Sequence, residues 1–255
     1  MTGALRVLEH HLIVYRRTWK GSLFSSFVSP ILFLAAMGFG LGSLISRGPV
    51  RTIDGLTYVA FIAPGLLAAT AMQSAYVETT YPIMARIQLE RTYEGMLATP
   101  MRVLDVLAGE FVWLALRLAL GSVAFFLVML LFGTVHSGLA VLAILVAVLT
   151  GLAFAAPIFA WTATRRTDTS FALIGRLLIT PLFLLGGVFF PIHQLPQLVQ
   201  GIAWLTPLAH GVALARSLSV GVLTGSAGLH LAVLLVYVAI GLVAARITLQ
   251  RRLVT

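Results

Sequence analysis

The stretch 184–216, LLGGVFFPIHQLPQLVQGIAWLTPLAHGVALAR, decides how this chain is organised, because it reads either as one more membrane crossing or as a break between crossings. A crossing helix needs about 20 mainly apolar residues in a row. The apolar part here, 201–215, is shorter and is interrupted by Thr206, Pro207 and His210. Gly186 and Gly187 loosen the backbone before it, and Pro191, Pro196 and Pro207 punctuate two short helices. Irregular backbone at membrane depth is tolerated only where protein or a water-filled cavity satisfies its polar groups. Phe189, Phe190 and Trp204 suit an aromatic belt at a membrane surface. The stretch 190–216 is therefore expected to be a re-entrant hairpin that helps gate an exit path. An ordinary loop held at the interface is the alternative.

The rest of the chain agrees with lipid as its solvent. It is 60% hydrophobic and only 10% charged, where soluble domains carry about 25% charged residues. Apolar runs occur at 24–45, 58–77, 112–132, 139–162, 171–190 and 231–245. With the N-terminus in the cytoplasm, six such spans place Arg6, Arg16, Arg17, Lys20, Arg86, Arg91, Arg102, Arg165, Arg166, Arg246, Arg251 and Arg252 on the inner side. Only Arg47, Arg51 and Arg216 fall outside, which is a strong positive-inside bias. Counting 201–215 as a seventh span would move the C-terminal arginines outside and weaken it. The expected fold is an all-α polytopic membrane protein, one domain over 1–255, with six transmembrane helices and both termini cytoplasmic.

Residues 1–21 form a separate amphipathic element. At about 100° per residue, Leu5, Leu8, Leu12, Tyr15 and Trp19 share one face, with Arg6, Glu9, His10, Arg16, Arg17 and Lys20 on another arc. Such a helix lies along a bilayer surface. No secretory leader is evident in these residues, which hold charges where an apolar core would be needed.

The segment RIQLERTYEGMLATP (86–100), within an expected helix over 84–100, is the longest polar stretch on the inner side. Leu89, Tyr93 and Met96 fall on one helical face, and Arg86, Glu90 and Glu94 form an adjacent stripe at i, i+4 steps. Pro100 disfavours helix at Thr99 and marks an end. A short helix with an apolar stripe and charges can dock in a groove on a soluble partner; a solvated loop is the other reading. Arg86, Glu90, Arg91, Tyr93, Glu94 and Pro100 are its candidate coupling residues.

Several chemistries are set aside. A phosphate-cradling loop needs glycines followed by Lys and Ser or Thr, and the only lysine, Lys20, follows Trp19. This chain is not expected to bind ATP in that way. With no cysteine there is neither disulfide nor thiolate. The net charge of +9 is spread over span ends instead of gathered in one patch, so no nucleic acid partner is expected. His10 and His11 diverge on a helix, and no metal site is expected. Ionisable groups inside the membrane mark a pathway or a pair. Glu110, Arg117 and Arg176 are the candidates, with a Glu110–Arg176 ion pair as one hypothesis. Met72, Gln73 and Ser74 are candidates for lining a substrate route.

The motif FFPIHQLPQLVQGIAWLTPLAHGVALAR resembles the signature of the type-2 ABC exporter permeases, and RTYEGMLATP resembles that family's cytoplasmic coupling helix between spans two and three. The amphipathic N-terminus and six-span plan are similar too, so the resemblance covers essentially the whole chain. Glu94 and Pro100 match the coupling pattern; Phe190, Pro191, Leu195, Pro196 and Pro207 match the hairpin pattern. His193 and His210 are not carried over. The resemblance implies a permease subunit of an ATP-driven exporter in a bacterial cell membrane. It further implies two such permeases, identical or paralogous, bound to two separate ATPase subunits that hold ATP and Mg and expel an amphipathic drug, lipid or lipid-linked glycan. The branch it is most similar to comprises small bacterial drug and nodulation lipo-oligosaccharide exporters. Two other readings stay open: a gradient-driven carrier, which buries acids near mid-bilayer, and a membrane-embedded lipid-modifying enzyme, for which Glu90, Glu94, Asp105, Glu110 and Asp168 offer acids but no histidine nearby in sequence.

Overall fold

The computed structural model describes residues 2–42, 52–222 and 225–254. Helix α1 (Thr2–Ala35) runs on into π-helical turns at Ala36–Gly42. It is followed by α2 (Tyr58–Leu89), α3 (Thr92–Leu97), α4 (Val103–Leu131) and α5 (Leu142–Thr164). Then come α6 (Thr169–Leu185), α7 (Gln197–Leu205), α8 (Pro207–Val220) and α9 (Ala227–Val254). The outer end of the first expected span, together with Arg47 and Arg51, lies outside the described residues. The molecule is an all-α polytopic membrane fold. Among the described residues, four helices are long and apolar enough to cross a bilayer unaided, and up to six qualify if each bent pair counts as one.

Local chemistry sets the helix ends. Thr57 caps α2 by accepting from the Ala60 amide, and Asp105 caps α4 by accepting from the Arg102 amide at 3.0 Å. Gly221 ends α8 at φ +84°, where a side chain would also strike Ser137.

Helix α5 is the centre of the bundle and packs on α2, α4, α8 and α9. Small residues allow the close approaches: a Cβ at Gly151 would meet Leu118 and the Ala71 carbonyl, one at Gly211 would meet Thr150, and one at Gly241 would meet Pro157. This is how helices associate in lipid, where burying apolar surface gives little drive and close packing must supply the attraction. A large apolar core formed chiefly by α2, α4, α5 and α8 fills the middle. A second, smaller core joins Ile83, Ile87, Tyr93, Val106, Phe159, Ala245 and Leu249 at one end of the bundle. Both the start of α1 and the end of α9 reach that end, which we call the coupling end; residues 187–207 occupy the opposite, hairpin end.

The helix boundaries differ from the sequence reading in four places. Helix α4 starts at Val103 instead of 112, because its first turns are buried against α1 and the smaller core and need no lipid. Residues 84–100 are not one helix. Their first part completes α2 through the π-helical turn Ala85–Leu89, Arg91 breaks the chain at φ +48°, and α3 follows. The break also parts Arg86 and Glu90 from Glu94, so no continuous charged stripe forms. Helix α6 is shorter than its expected span, about 26 Å at 1.5 Å per residue against a core of about 30 Å. Helix α1 is continuous from the amphipathic segment into the first span, its two halves inclined at 41°.

Candidate coupling and transport site

At the coupling end, three elements meet on one buried carboxylate. Glu110, 1% exposed, accepts from Arg86 Nη1 at 2.9 Å and is bound to His11 Nε2 at 2.8 Å. The His11 ring stacks on Trp113, 5.2 Å between centroids. The helix contact that allows this is tight: Gly109 lies against Val7 and the Ala4 carbonyl. The buried stripe of α1 is thus Val7 and His11, while Leu5, Leu12 and Trp19 of the expected apolar face stay exposed. The Glu110–Arg176 pair is absent. Arg176 is exposed on α6, and Arg86, not Arg176, neutralises Glu110. The second partner, His11, lies 99 residues from Glu110, a separation that no sequence pattern links.

Helix α3 is pinned to this cluster by Tyr93, which is fully buried in the smaller core. Its hydroxyl lies close enough to Arg86 and Glu110 to feel both charges but is aligned with neither for a hydrogen bond. Burial, reinforced by the Glu110 carboxylate and opposed by Arg86, pushes this hydroxyl well above the ordinary tyrosine range. The other candidates in the segment face water. Glu90 accepts from Thr92 Oγ1 at 3.2 Å, Arg91 stands 3.9 Å from Glu94 with both well exposed, and Pro100 closes the segment on the surface. An exposed pair of that kind contributes little stability, so its charges are available to a partner.

Deeper in the bundle, Arg117 on α4 binds Glu78 on α2 through Nε at 3.1 Å and Nη2 at 2.5 Å, with its guanidinium over the Tyr15 ring. Glu78 was not singled out from the sequence because it sits just past the end of the apolar run, where an acid is unremarked. Above this pair lies a recess of about 380 Å³ between α1, α2 and α4, lined in part by Gln73 and Ser74. Met72, the third candidate for a substrate route, points the other way and is fully buried in the large core.

At the hairpin end, α7 and α8 meet at 86° across Thr206 and Pro207. Pro196 precedes α7, and Gln200 Nε2 donates to the Leu195 carbonyl at 2.7 Å, closing the turn after the Pro191 bend. Phe189 packs against Phe33, Phe183 and Phe190. Arg216 donates to the Gly187 carbonyl at 2.8 Å and the Phe61 carbonyl at 3.1 Å, satisfying backbone that the glycine turn leaves open. Trp204 stacks on His230 of α9 with planes 12° apart. His210 Nε2 meets the Trp204 carbonyl at 2.8 Å and therefore carries the proton, which leaves its Nδ1 to accept from His230 Nδ1 at 2.8 Å. His210 thus has a structural part that sequence reading set aside. Among the described residues no group of three or more acidic or histidine side chains is placed to hold a metal.

A bundle of membrane-length helices, a short polar helix anchored at one end and a sharply bent helix pair at the other define an integral membrane protein. The chain matches the ABC-2 type transporter family over residues 5–219 and belongs to that family. It is 33% identical to Nodulation protein J of Rhizobium leguminosarum bv. viciae, over 98% of this chain and 94% of that one. It is 34% identical to Nodulation protein J of Sinorhizobium fredii over the same shares, and 25% identical to the inner membrane transport permease YadH of Escherichia coli over 78% and 75%. The chain is the permease subunit of an ABC exporter and a multi-pass protein of the bacterial cell membrane; hydrolysis of ATP falls to a separate ATPase chain.

Proposed function

We propose that this permease works as a pair, identical or with a paralogue, on two ATPase subunits, and exports an amphipathic substrate: a drug, a lipid or a lipid-linked glycan such as a lipo-oligosaccharide. Closure of the ATPases is received by residues 86–100, with Glu90, Arg91 and Glu94 as the docking charges and Pro100 as the end of the segment. One observation carries this reading: Tyr93 anchors the exposed helix α3 in a core that also contains residues of α2, α4, α5 and α9. A push on α3 is therefore a push on the bundle. Both termini and most of the basic residues face the cytoplasm, the first half of α1 rests its exposed apolar stripe on lipid, and residues 190–216 form the re-entrant hairpin at the outer side, with Phe189, Phe190, Pro191, Leu195, Pro196, Trp204 and Pro207 as its gate residues.

The arginine pairing of Glu78 and Glu110 speaks against a gradient-driven carrier, which needs an acid free to take up an ion. The test is ATPase activity of the purified chain, alone and with the ATPase encoded beside it. Hydrolysis only in the complex, with export lost and assembly retained in Glu94→Lys, is the expected result. Normal export from Glu94→Lys would remove Glu94 from the coupling, and failure to bind any ATPase would overturn the assembly.

A further inference from the structure

The recess between α1, α2 and α4 is lined by polar and apolar side chains together. Gln73, Ser74 and Ser122 line it, and among the described residues their side chains make no hydrogen bond. Hydrogen-bonding groups without partners are costly inside a membrane unless something else satisfies them. The charged residues of the recess do not supply a net charge: Arg117 and Glu78 are bound to each other by two contacts, and the Tyr15 ring lies under the guanidinium. Ser29 lines both this recess and an adjoining apolar groove along α1 formed by Phe24, Val28, Leu32 and Phe33. A pocket that offers hydrogen-bonding groups and leads into an apolar groove matches a molecule with a polar head and an acyl chain.

We propose that this recess binds the head of an amphiphile whose head is uncharged and rich in hydrogen-bonding groups, with its chain along the α1 groove, and that the Glu78–Arg117 pair sets this preference by cancelling the Arg117 charge that would attract a phosphate. As a substrate site it rests on the exporter reading above, but its occupancy needs neither nucleotide nor ATPase. A neutral head can exchange hydrogen bonds with Gln73, Ser74 and Ser122. An anionic head would enter without a compensating charge.

The chain holds no cysteine, so Ser74→Cys places a single reporter in the recess. In phosphatidylcholine nanodiscs, labelling by a membrane-permeant maleimide is measured with monoglucosyl diacylglycerol or with phosphatidic acid of the same chains. Val236→Cys, exposed on α9, is the control. The neutral glycolipid is expected to slow labelling of Ser74→Cys about tenfold, the ratio that one well-made hydrogen bond supports. Phosphatidic acid should leave it unchanged, and neither should affect the control. In Glu78→Gln the Arg117 charge is no longer matched by Glu78 and should make phosphatidic acid protective, and in Glu78→Gln with Arg117→Gln that protection should vanish again. Should Glu78→Gln fail to fold, the two lipid arms on the Ser74→Cys background decide alone. Equal protection by both lipids, protection by neither, or protection that follows protein density instead of lipid composition, as a covering second copy would give, overturns the assignment. The nucleotide dependence of the complex is unaffected by any of these outcomes, so the two readings fail separately.

Discussion

Glu110 of α4 and Arg86 near the C-terminal end of α2, 24 residues apart in sequence, are joined by a 2.9 Å hydrogen bond from guanidinium to a carboxylate that water does not reach. Removing one partner of such a pair leaves a buried charge alone, which costs about 3–5 kcal/mol. Glu110→Ala is expected to lose that much, read as a lowered midpoint of thermal unfolding in detergent. Replacing both residues by Met should recover most of the loss, since a matched apolar pair is often as stable as the ion pair it replaces. Export, in contrast, should remain impaired in the double variant, because α1, α2 and α4 no longer meet on a directional bond.

Tyr93 gives a second test. Tyr93→Ala empties a fully buried aromatic site and should cost about 3–5 kcal/mol. Trypsin cleavage after Arg91 should accelerate as α3 detaches. Tyr93→Phe removes only a hydroxyl with no aligned partner and should change stability by less than about 1 kcal/mol.

The same hydroxyl predicts an alkaline effect. Its folded-state proton is held well above the ordinary range, whereas the unfolded tyrosine loses its proton near pH 10. As pH rises past about 10 the unfolded state is favoured first, so stability declines there. A pH series of unfolding midpoints should show a component of this decline that Tyr93→Phe lacks.

Helix contacts around α5 can be tested by size. A side chain at Gly241 would meet Ala156 and Pro157 at 2.6–2.8 Å, so Gly241→Val should cost about 1–3 kcal/mol through overpacking. Gly201 on α7 has nothing within 4 Å. Gly201→Ala should be neutral or stabilising by up to about 1 kcal/mol.

At the hairpin end, Trp204→Ala removes the ring stacked on His230 that ties α7 to α9. Copurification with the ATPase should persist while export falls. Equal loss of both would mean that the hairpin only holds the bundle together.

Much of this was legible in one dimension because lipid imposes a simple rule on sequence. Runs that cross hydrocarbon must be apolar throughout, so 58–77, 112–132, 139–162 and 231–245 announce helices α2, α4, α5 and α9 directly. Prolines and glycines likewise announce the bend between α7 and α8, since they remove the hydrogen bonds that a straight span requires. Where a helix is covered by protein the rule lapses. The first turns of α4 precede the apolar run 112–132 and the last of α2 follow the run 58–77, yet neighbouring helices bury Glu110 and most of Arg86 there.

Sequence by itself thus determined the class of fold, the polar segment at 86–100 and the bent stretch at 190–216, because composition and backbone chemistry act locally. Only the tertiary structure decided which charges meet. Glu110 takes Arg86 and His11 and not Arg176, Arg117 takes Glu78, and His210 takes His230. Partner choice depends on which faces of α1, α2, α4, α8 and α9 are brought within about 3 Å of one another, and that is set by close packing at residues such as Gly109 and Gly241, where the approach of two helices is a property of both.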